Sequence, residues 1–357
     1  MSVAAKNGSA STKLEGMTLP NGWKVVRRVL RNPNGSGGMF SHCYQVEKDG
    51  QRGFLKAFDF SAAFEPGTDA IRHLQIMTSA FEHERDILEI CKEKRLSKVV
   101  IAIDHGQVQV DGFGEMEGRV YFLVFELADG DIRSQVDESA RFNCLWSLRA
   151  LRDVSLGLWQ IHCQMVAHQD VKPSNVLVFK TAEGFRISDF GRSSLKGRSV
   201  WYDDADVAGD KQYSPPELLY GFRHPEFSVR RIGCDLYMLG NLAVFMSAGV
   251  NVTAMLLARL EPQFHWSNWH GQYEQVLSYV VEAFTRVLED IAPLIDEDVR
   301  EDILDIVRDL CHPDVQRRGH PRERHGYSAQ SLERYVSRLD LLCRRLEIKQ
   351  RMRRLAG

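Results

Sequence analysis

The sequence predicts an α+β fold in two parts: a small antiparallel β lobe carrying one helix, then a larger α-helical lobe. Three observations support this. From Trp23 to Glu126 the chain is dominated by short runs rich in β-branched and aromatic residues. A single helical pattern interrupts them. Beyond the connector "LADGD" (127–131), apolar residues recur mainly at helical spacing. The cleft expected between two such lobes is where ligands usually bind.

The elements follow in order. "MSVAAKNGSASTKLEG" has no apolar core of signal-peptide length, so residues 1–20 are expected as a flexible polar tail. "WKVVRRVL", "FSHCYQVEKDGQRGFLKAFDF" and "VYFLVFEL" read as strands, with a hairpin turn at the Asp-Gly of "EKDGQRG". The interrupting helix spans roughly Asp69 to Glu93. These make a small lobe over 21–126. A connector and large lobe occupy 127–346, with helices expected near Leu145–Met165, Glu274–Val287, Asp298–Cys311 and Ser331–Leu346, and one short hairpin, "VLVFKTAEGFRIS". Residues 347–357 read as a basic tail. Leu236–Ala258 carries no charge and has the length of a membrane span, but Gly240-Asn241, Ser247-Ala248-Gly249 and Asn251 interrupt it. A buried core helix plus a turn is the expectation there.

Composition narrows the function. A net charge of −2, from 46 basic and 48 acidic residues, gives no electrostatic case for nucleic acid or an anionic membrane as the main partner. Seven cysteines, at 43, 91, 144, 163, 234, 311 and 343, contain no C-x-x-C pair. That scatter argues against a disulfide framework or a zinc ribbon and for a reducing cytoplasm.

The chemistry sits in short stretches. Between two strands lies "NGSGGMFSHCY" (34–44), whose small residues let backbone N–H groups approach phosphates. "GFLKAF" places Lys56 on a strand, and "FEHERDIL" places Glu84 on the helix. "FLVFELADGDI" joins the last strand of the small lobe to the connector. "HQDVKPSN" (168–175) follows, and nineteen residues after Asp170 comes Asp189 in "SDFG". Further on stand "YSPPE" with Glu217, "GCDLYMLG" with Asp235, and "HPDVQRRG" with Arg317 and Arg318.

In this order and spacing the stretches resemble the eukaryotic-like serine/threonine protein kinase family, over roughly Trp23 to Leu346. The resemblance implies a bilobal kinase-like fold that uses ATP and Mg²⁺. It puts Asp170 as the group that accepts the hydroxyl proton or orients the nucleophile, and Lys172 as the cation neutralising the γ-phosphate. Asn175 and Asp189 would hold Mg²⁺, which prefers hard oxygen ligands. Lys56 would hold the α- and β-phosphates with Glu84 as its ion-pair partner. The family's loop glycines fall on Ser36, Gly38 and Ser41, with Gly37 or Gly35 serving after a one-residue shift. Cys43 and Phe54 would roof the adenine, Leu177 would lie on its other side, and Phe125 takes the gatekeeper place. Glu126, Leu127 and Ala128 would offer backbone groups to the adenine edge, and Asp131 would reach the ribose. Lys172, two residues after the Asp, matches the serine/threonine branch. Glu217, Asp235 and Arg318 (or Arg317) match the activation-segment and core signature that small-molecule phosphotransferases of related fold usually lack.

Two departures bear on function. Phe54 stands where the family has a small Ala, and strand alternation turns it to the same face as Lys56, toward purine space. Gln169 replaces the Arg that normally precedes the Asp and whose charge a phosphate on the activation segment neutralises. The groups of phosphoryl transfer are all present, so the expectation is altered regulation: a protein kinase acting on Ser or Thr without needing activation-segment phosphorylation. Alanine at Ser193, Ser194, Ser199 or Tyr202 is then expected to leave activity largely intact. The rivals are a pseudokinase serving as a nucleotide-sensing or scaffold module, with a regulatory partner protein, and a small-molecule phosphotransferase, which "YSPPE" and Asp235 disfavour. Cys311, His312, His320 and His325 match no structural zinc spacing. In the basic C-terminal stretch, Leu346, Met352 and Leu355 are expected to share one side of a helix.

Overall fold

The computed structural model of the chain describes residues 8–30, 41–65, 67–138, 143–180, 184–203, 205, 207–323 and 330–356. Two compact units emerge, one of residues up to 95 with 100–129, the other of 96–99 with 130–357.

The smaller unit is a five-stranded antiparallel sheet: β1 (Lys24–Val29), β2 (Ser41–Lys48), β3 (Gln51–Phe58), β4 (Ala102–Gln109) and β5 (Arg119–Glu126), in the order β1-β2-β3-β5-β4. The β2–β3 hairpin turns at Asp49 and Gly50, both at positive φ, as an Asp-Gly turn requires. Alternation sorts the faces. Val46, Leu55, Ala57, Val120, Phe122 and Val124 point to one side, where Trp23, Leu14 and Leu19 complete the cluster. The opposite face is covered by α1 (Ala70–Glu93), which Asp69 caps by accepting from the Arg72 N–H. Phe81 of α1 sits 5.0 Å from Phe58 and 5.1 Å from Tyr121.

The expectation of a flexible tail up to residue 20 needs correcting. From Ser9 onward the segment folds back on the sheet, with Leu14 and Leu19 buried and the Tyr44 hydroxyl donating to the Ser11 carbonyl at 2.6 Å. Leu14, Leu19, Ala10 and the half-buried Met17 are enough to cover a face that β1–β3 would leave wet.

The larger unit contains α2 (Ile132–Glu138), α3 (Cys144–His162), α4 (Pro216–Leu219), α5 (Gly233–Ala248), α6 (Val252–Arg259), α7 (Tyr273–Ile291), α8 (Arg300–Leu310) and α9 (Glu333–Ala356). Two small ladders join them, β6 (Val166–Ala167) with β9 (Ser194–Leu195) and β7 (Val176–Phe179) with β8 (Gly184–Ile187). α5 is the central helix, packed on α3 and α8 and buried nearly all round. It ends at Gly249 in the left-handed region, Asn251 caps α6, and the chain bends by 94° between them. The uncharged stretch is thus a core helix and a turn, as expected, followed by most of a second helix, α6. Among the described residues no single helix is long and apolar enough to cross a membrane.

α9 corrects a second expectation. Leu346 is buried, whereas Met352 and Leu355 are exposed. Nine residues at 100° each put Leu355 half a turn away from Leu346, so the three cannot share a side. The basic face of α9 is occupied within the chain: Arg338 and Arg345 pair with Asp302 at 2.9 and 2.7 Å, and Lys349 pairs with Asp298.

Candidate active site

In the smaller unit, strand alternation and one helix bring together a cation and a carboxylate. Lys56 leaves β3 on the face covered by α1, and its Nζ lies 2.8 and 2.9 Å from the two carboxylate oxygens of Glu84. Glu84 is 2% exposed, so its charge depends on that ammonium for compensation. Phe54 shares the Lys56 face and pairs in register with Gln45 on β2 and Phe125 on β5, while Cys43 lies across from Lys56. Phe54 and Cys43 are half-buried and Phe125 is buried. Ser41 opens β2 with its side chain buried, Glu126 ends β5, and Leu127 and Ala128 follow it, all three half-buried. Ser36, Gly37 and Gly38 lie outside the described residues.

In the larger unit, the 168–175 loop is built around Asp235. That carboxylate, fully buried in the first turn of α5, accepts the Gln169 N–H at 2.6 Å, the His168 N–H at 2.7 Å and the His162 Nε2–H at 2.8 Å. The loop needs this grip because Gln169 stands at φ 62, in the left-handed region that costs a side-chain-bearing residue about 1–2 kcal/mol. His168 is oriented from both ring nitrogens: Nδ1 accepts from the Asp170 N–H at 3.3 Å, so Nε2 carries the proton given to the Ser188 carbonyl at 2.9 Å. That second bond ties the loop to the segment leading into Asp189, itself at φ 65.

Asp170 is thereby surrounded. Lys172 Nζ lies 3.0 Å from its Oδ2, Asn175 Nδ2 donates to the same oxygen at 3.0 Å and to the Asp170 carbonyl at 2.8 Å, and the Asp210 N–H donates to Oδ1 at 2.8 Å. Burial raises the Asp170 pKa above the ordinary carboxylate value, and the Lys172 charge works against that rise. Because both Asp170 oxygens only accept, the Asn175 amide must turn its NH₂ toward them, which leaves Oδ1 as its metal-capable atom. The amide oxygen of Asn175 and the carboxylate of Asp189 are donors of the hard type that Mg²⁺ prefers. The Asp131 carboxylate accepts the Ser134 N–H at 2.9 Å at the start of α2, and the Asp131 backbone forms an isolated β-bridge with Leu177, the half-buried residue of β7.

Beyond the loop, Arg318 and not Arg317 meets Glu217, through two bonds of 2.6 and 2.8 Å, both partners buried. Cys311 donates its thiol to the Tyr237 carbonyl, and His312 Nδ1 accepts the Asp314 N–H. His325 lies outside the described residues. Sequence reasoning does not single out His162, Asp203, Asp210 or Arg231, each of which contacts the loop or its partners. Two signals were available: the Gly209-Asp210 pair just ahead of "YSPPE", and the Arg230-Arg231 pair just ahead of Asp235. Gly209 passes so close that a Cβ there would lie 2.7 Å from Asp170 Oδ1.

A family model described as protein kinase domain matches residues 69–325, more than two thirds of the chain. The chain belongs to the protein kinase domain family. The kinase match takes in Glu84, the 168–175 loop, Asp189, Glu217, Asp235 and Arg318, and begins after the β3 strand that carries Phe54 and Lys56. The chain is similar to the serine/threonine-protein kinase PknA of Mycobacterium tuberculosis, 30% identical over 138 residues, which is 38% of this chain and 30% of that protein. Serine/threonine-protein kinase PknJ of the same organism is 26% identical over 198 residues, 54% of this chain and 33% of that kinase. The matched stretches span about a third of the length of these curated relatives.

Proposed function

We propose that the protein is a serine/threonine kinase that moves the γ-phosphoryl group of ATP, with Mg²⁺, to a Ser or Thr hydroxyl of a protein substrate, and that no phosphate on its activation segment is needed. The observation that carries the proposal is the buried Asp170–Lys172–Asn175 constellation, held by Asp235 and His168 in a chain that also forms the Lys56–Glu84 pair. The acceptor hydroxyl's oxygen bonds to the γ-phosphorus as the bond from that phosphorus to the bridging oxygen breaks and ADP leaves, and the Asp170 carboxylate is the base placed for the hydroxyl's proton. Lys172, within reach of both Asp170 and Asp210, supplies positive charge for the transferred group. Lys56, fixed by Glu84, does the same for the phosphates left behind. Asn175 Oδ1 and the Asp189 carboxylate would hold Mg²⁺, which would supply charge neutralisation at the phosphates. Names of the matched relatives and Lys172 two residues after Asp170 both support Ser/Thr acceptors. The scatter of the seven cysteines along the chain, with no C-x-x-C pair, supports placement in the cytoplasm.

Independence from activation-segment phosphorylation is supported by burial. Ser193, Ser194, Tyr202 and Ser214 are buried, and three of them already donate hydrogen bonds: Ser193 to the Phe190 carbonyl, Tyr202 to the Ser193 carbonyl and Ser214 to the Asp210 carbonyl. Alanine at 193, 194 or 202 therefore removes structural contacts as well as a hydroxyl, which spoils those positions as tests. Exposed Ser199 is the clean one, and Ser199→Ala should retain activity within twofold.

One observation favours the pseudokinase reading. Phe54 and Phe125 are direct cross-strand partners on the face that presents Lys56, where a purine would need space. Intact-mass spectrometry before and after Mg²⁺·ATP, with Asp170→Asn alongside, separates the two. Added phosphate on the wild type alone establishes transfer. No mass added to either protein, even with casein offered as acceptor, sinks the kinase reading.

A further inference from the structure

The side chain of Gln169 is used at both ends. Its Nε2 donates to the Arg192 carbonyl at 2.9 Å and to Ser194 Oγ at 2.7 Å, so it holds the segment that follows Asp189. Its Oε1 accepts from Arg231 Nη1 at 2.6 Å. Arg231 is 5% exposed, and a guanidinium that deep needs a carboxylate. Asp203 supplies it: Arg231 Nη2 lies 2.9 Å from Asp203 Oδ1. The other carboxylate oxygen of Asp203 accepts the Val200 N–H at 2.8 Å, and its carbonyl accepts from Arg230 at 2.6 Å. A continuous chain of bonds therefore runs from the loop bearing Asp170, through Gln169 and Arg231, to residues 192–203.

Arg231 is placed for this by the backbone. It lies in a π-helical turn, Ser228–Ile232, that runs straight into α5, and Asp235 follows it by four residues. One continuous element thus grips Gln169 twice, the backbone N–H by Asp235 and the side-chain carbonyl by Arg231. π-Turns are frequent at functional sites because they re-aim side chains. The pairing also explains the residue at 169. A side chain there must donate toward Arg192 and Ser194 and accept from Arg231. Gln does both, whereas a second guanidinium would face Arg231 at contact distance.

We propose that Arg231 and Asp203 are positioning residues for phosphoryl transfer. Their ion pair fastens residues 192–203 to Gln169 and so keeps Asp170 in its reactive setting with a permanent carboxylate. The inference rests on the kinase reading above and adds to it the residues that make an added phosphate unnecessary. Neither residue touches the reacting atoms.

The test compares Asp203→Asn and Asp203→Glu in the full chain, with casein as acceptor. Asn removes the charge and Glu restores it. Asp203→Asn should lower kcat at least tenfold and leave KM for ATP within twofold. Amide hydrogen exchange over 192–203 should speed up in Asn and not in Glu, with the unfolding midpoint of both close to wild type. Asp203→Glu should keep kcat within threefold. Unchanged exchange and kcat in Asp203→Asn would overturn the proposal. So would an equal loss in both variants accompanied by a lowered midpoint, which marks a general structural role. A wild type that transfers no phosphate refutes the kinase reading alone. The exchange comparison still decides the clasp, with faster exchange in Asn but not Glu supporting it and no difference overturning it.

Discussion

Replacing Asp235 with Asn tests how the reactive loop is held. The carboxylate takes three donors, the N–H groups of Gln169 and His168 and the Nε2–H of His162, at 2.6, 2.7 and 2.8 Å. An amide of the same shape can keep only one accepting oxygen. Its better orientation leaves that oxygen with His168 and His162 and turns NH₂ toward the Gln169 N–H, donor against donor. One charge-assisted bond worth about 1.5–3 kcal/mol is lost, and two others fall toward the neutral value of about 1 kcal/mol each. The total is about 3–5 kcal/mol, and it falls on a residue already held at φ 62. Urea unfolding should show that loss, and the single-turnover phosphorylation rate should fall at least tenfold as Gln169 relaxes toward ordinary backbone angles. A stability change under about 1 kcal/mol with the rate kept within threefold would refute the reasoning, because Asp235 would then not be what fixes the loop.

Three further outcomes are expected. Arg318→Met leaves Glu217 buried without its two-bonded partner and should cost about 3–5 kcal/mol, with Glu217→Leu in the same chain recovering much of it, as read by urea unfolding. His312 is pushed down to about 4 from 6.5 by burial and then by the neighbouring Arg317, so the unfolded chain takes up its proton first on acidification. Stability should therefore drop by about 3 kcal/mol between roughly pH 6.5 and pH 4, and His312→Gln should flatten that slope. Asp170 titrates above an ordinary carboxylate because it is buried, so the acid limb of kcat/KM should lie above the usual carboxylate range. Since Lys172 opposes that rise, Lys172→Met should move the acid limb of the residual activity to still higher pH.

Much of the fold was legible because its signals are local. The β2–β3 hairpin follows from an Asp-Gly turn, and α5 from an uncharged run ended by Gly249 and Asn251. The Lys56–Glu84 pair follows from a strand, a helix and their familiar order. The failures came where tertiary packing overrides composition. Residues 8–20 look like a tail by polarity, yet Leu14 and Leu19 find an open sheet face.

Gln169 shows why the remainder of the site could not be read that way. Taken alone, the substitution says only that a charge is missing from position 169. The structure shows the charge at Arg231, sixty-two residues later, with its oxygen acceptor on Gln169 and its counter-ion on Asp203. A single position reports a loss, and only the three together report a relocation. Spacing within the sequence cannot join them, because the contact depends on a π-turn ahead of α5 and on where residues 192–203 are folded back. The functional consequence differs between the two views. A lost cation leaves residues 192–203 unanchored and awaiting an external device, whereas a relocated cation with a built-in carboxylate keeps the loop assembled from the moment the chain folds.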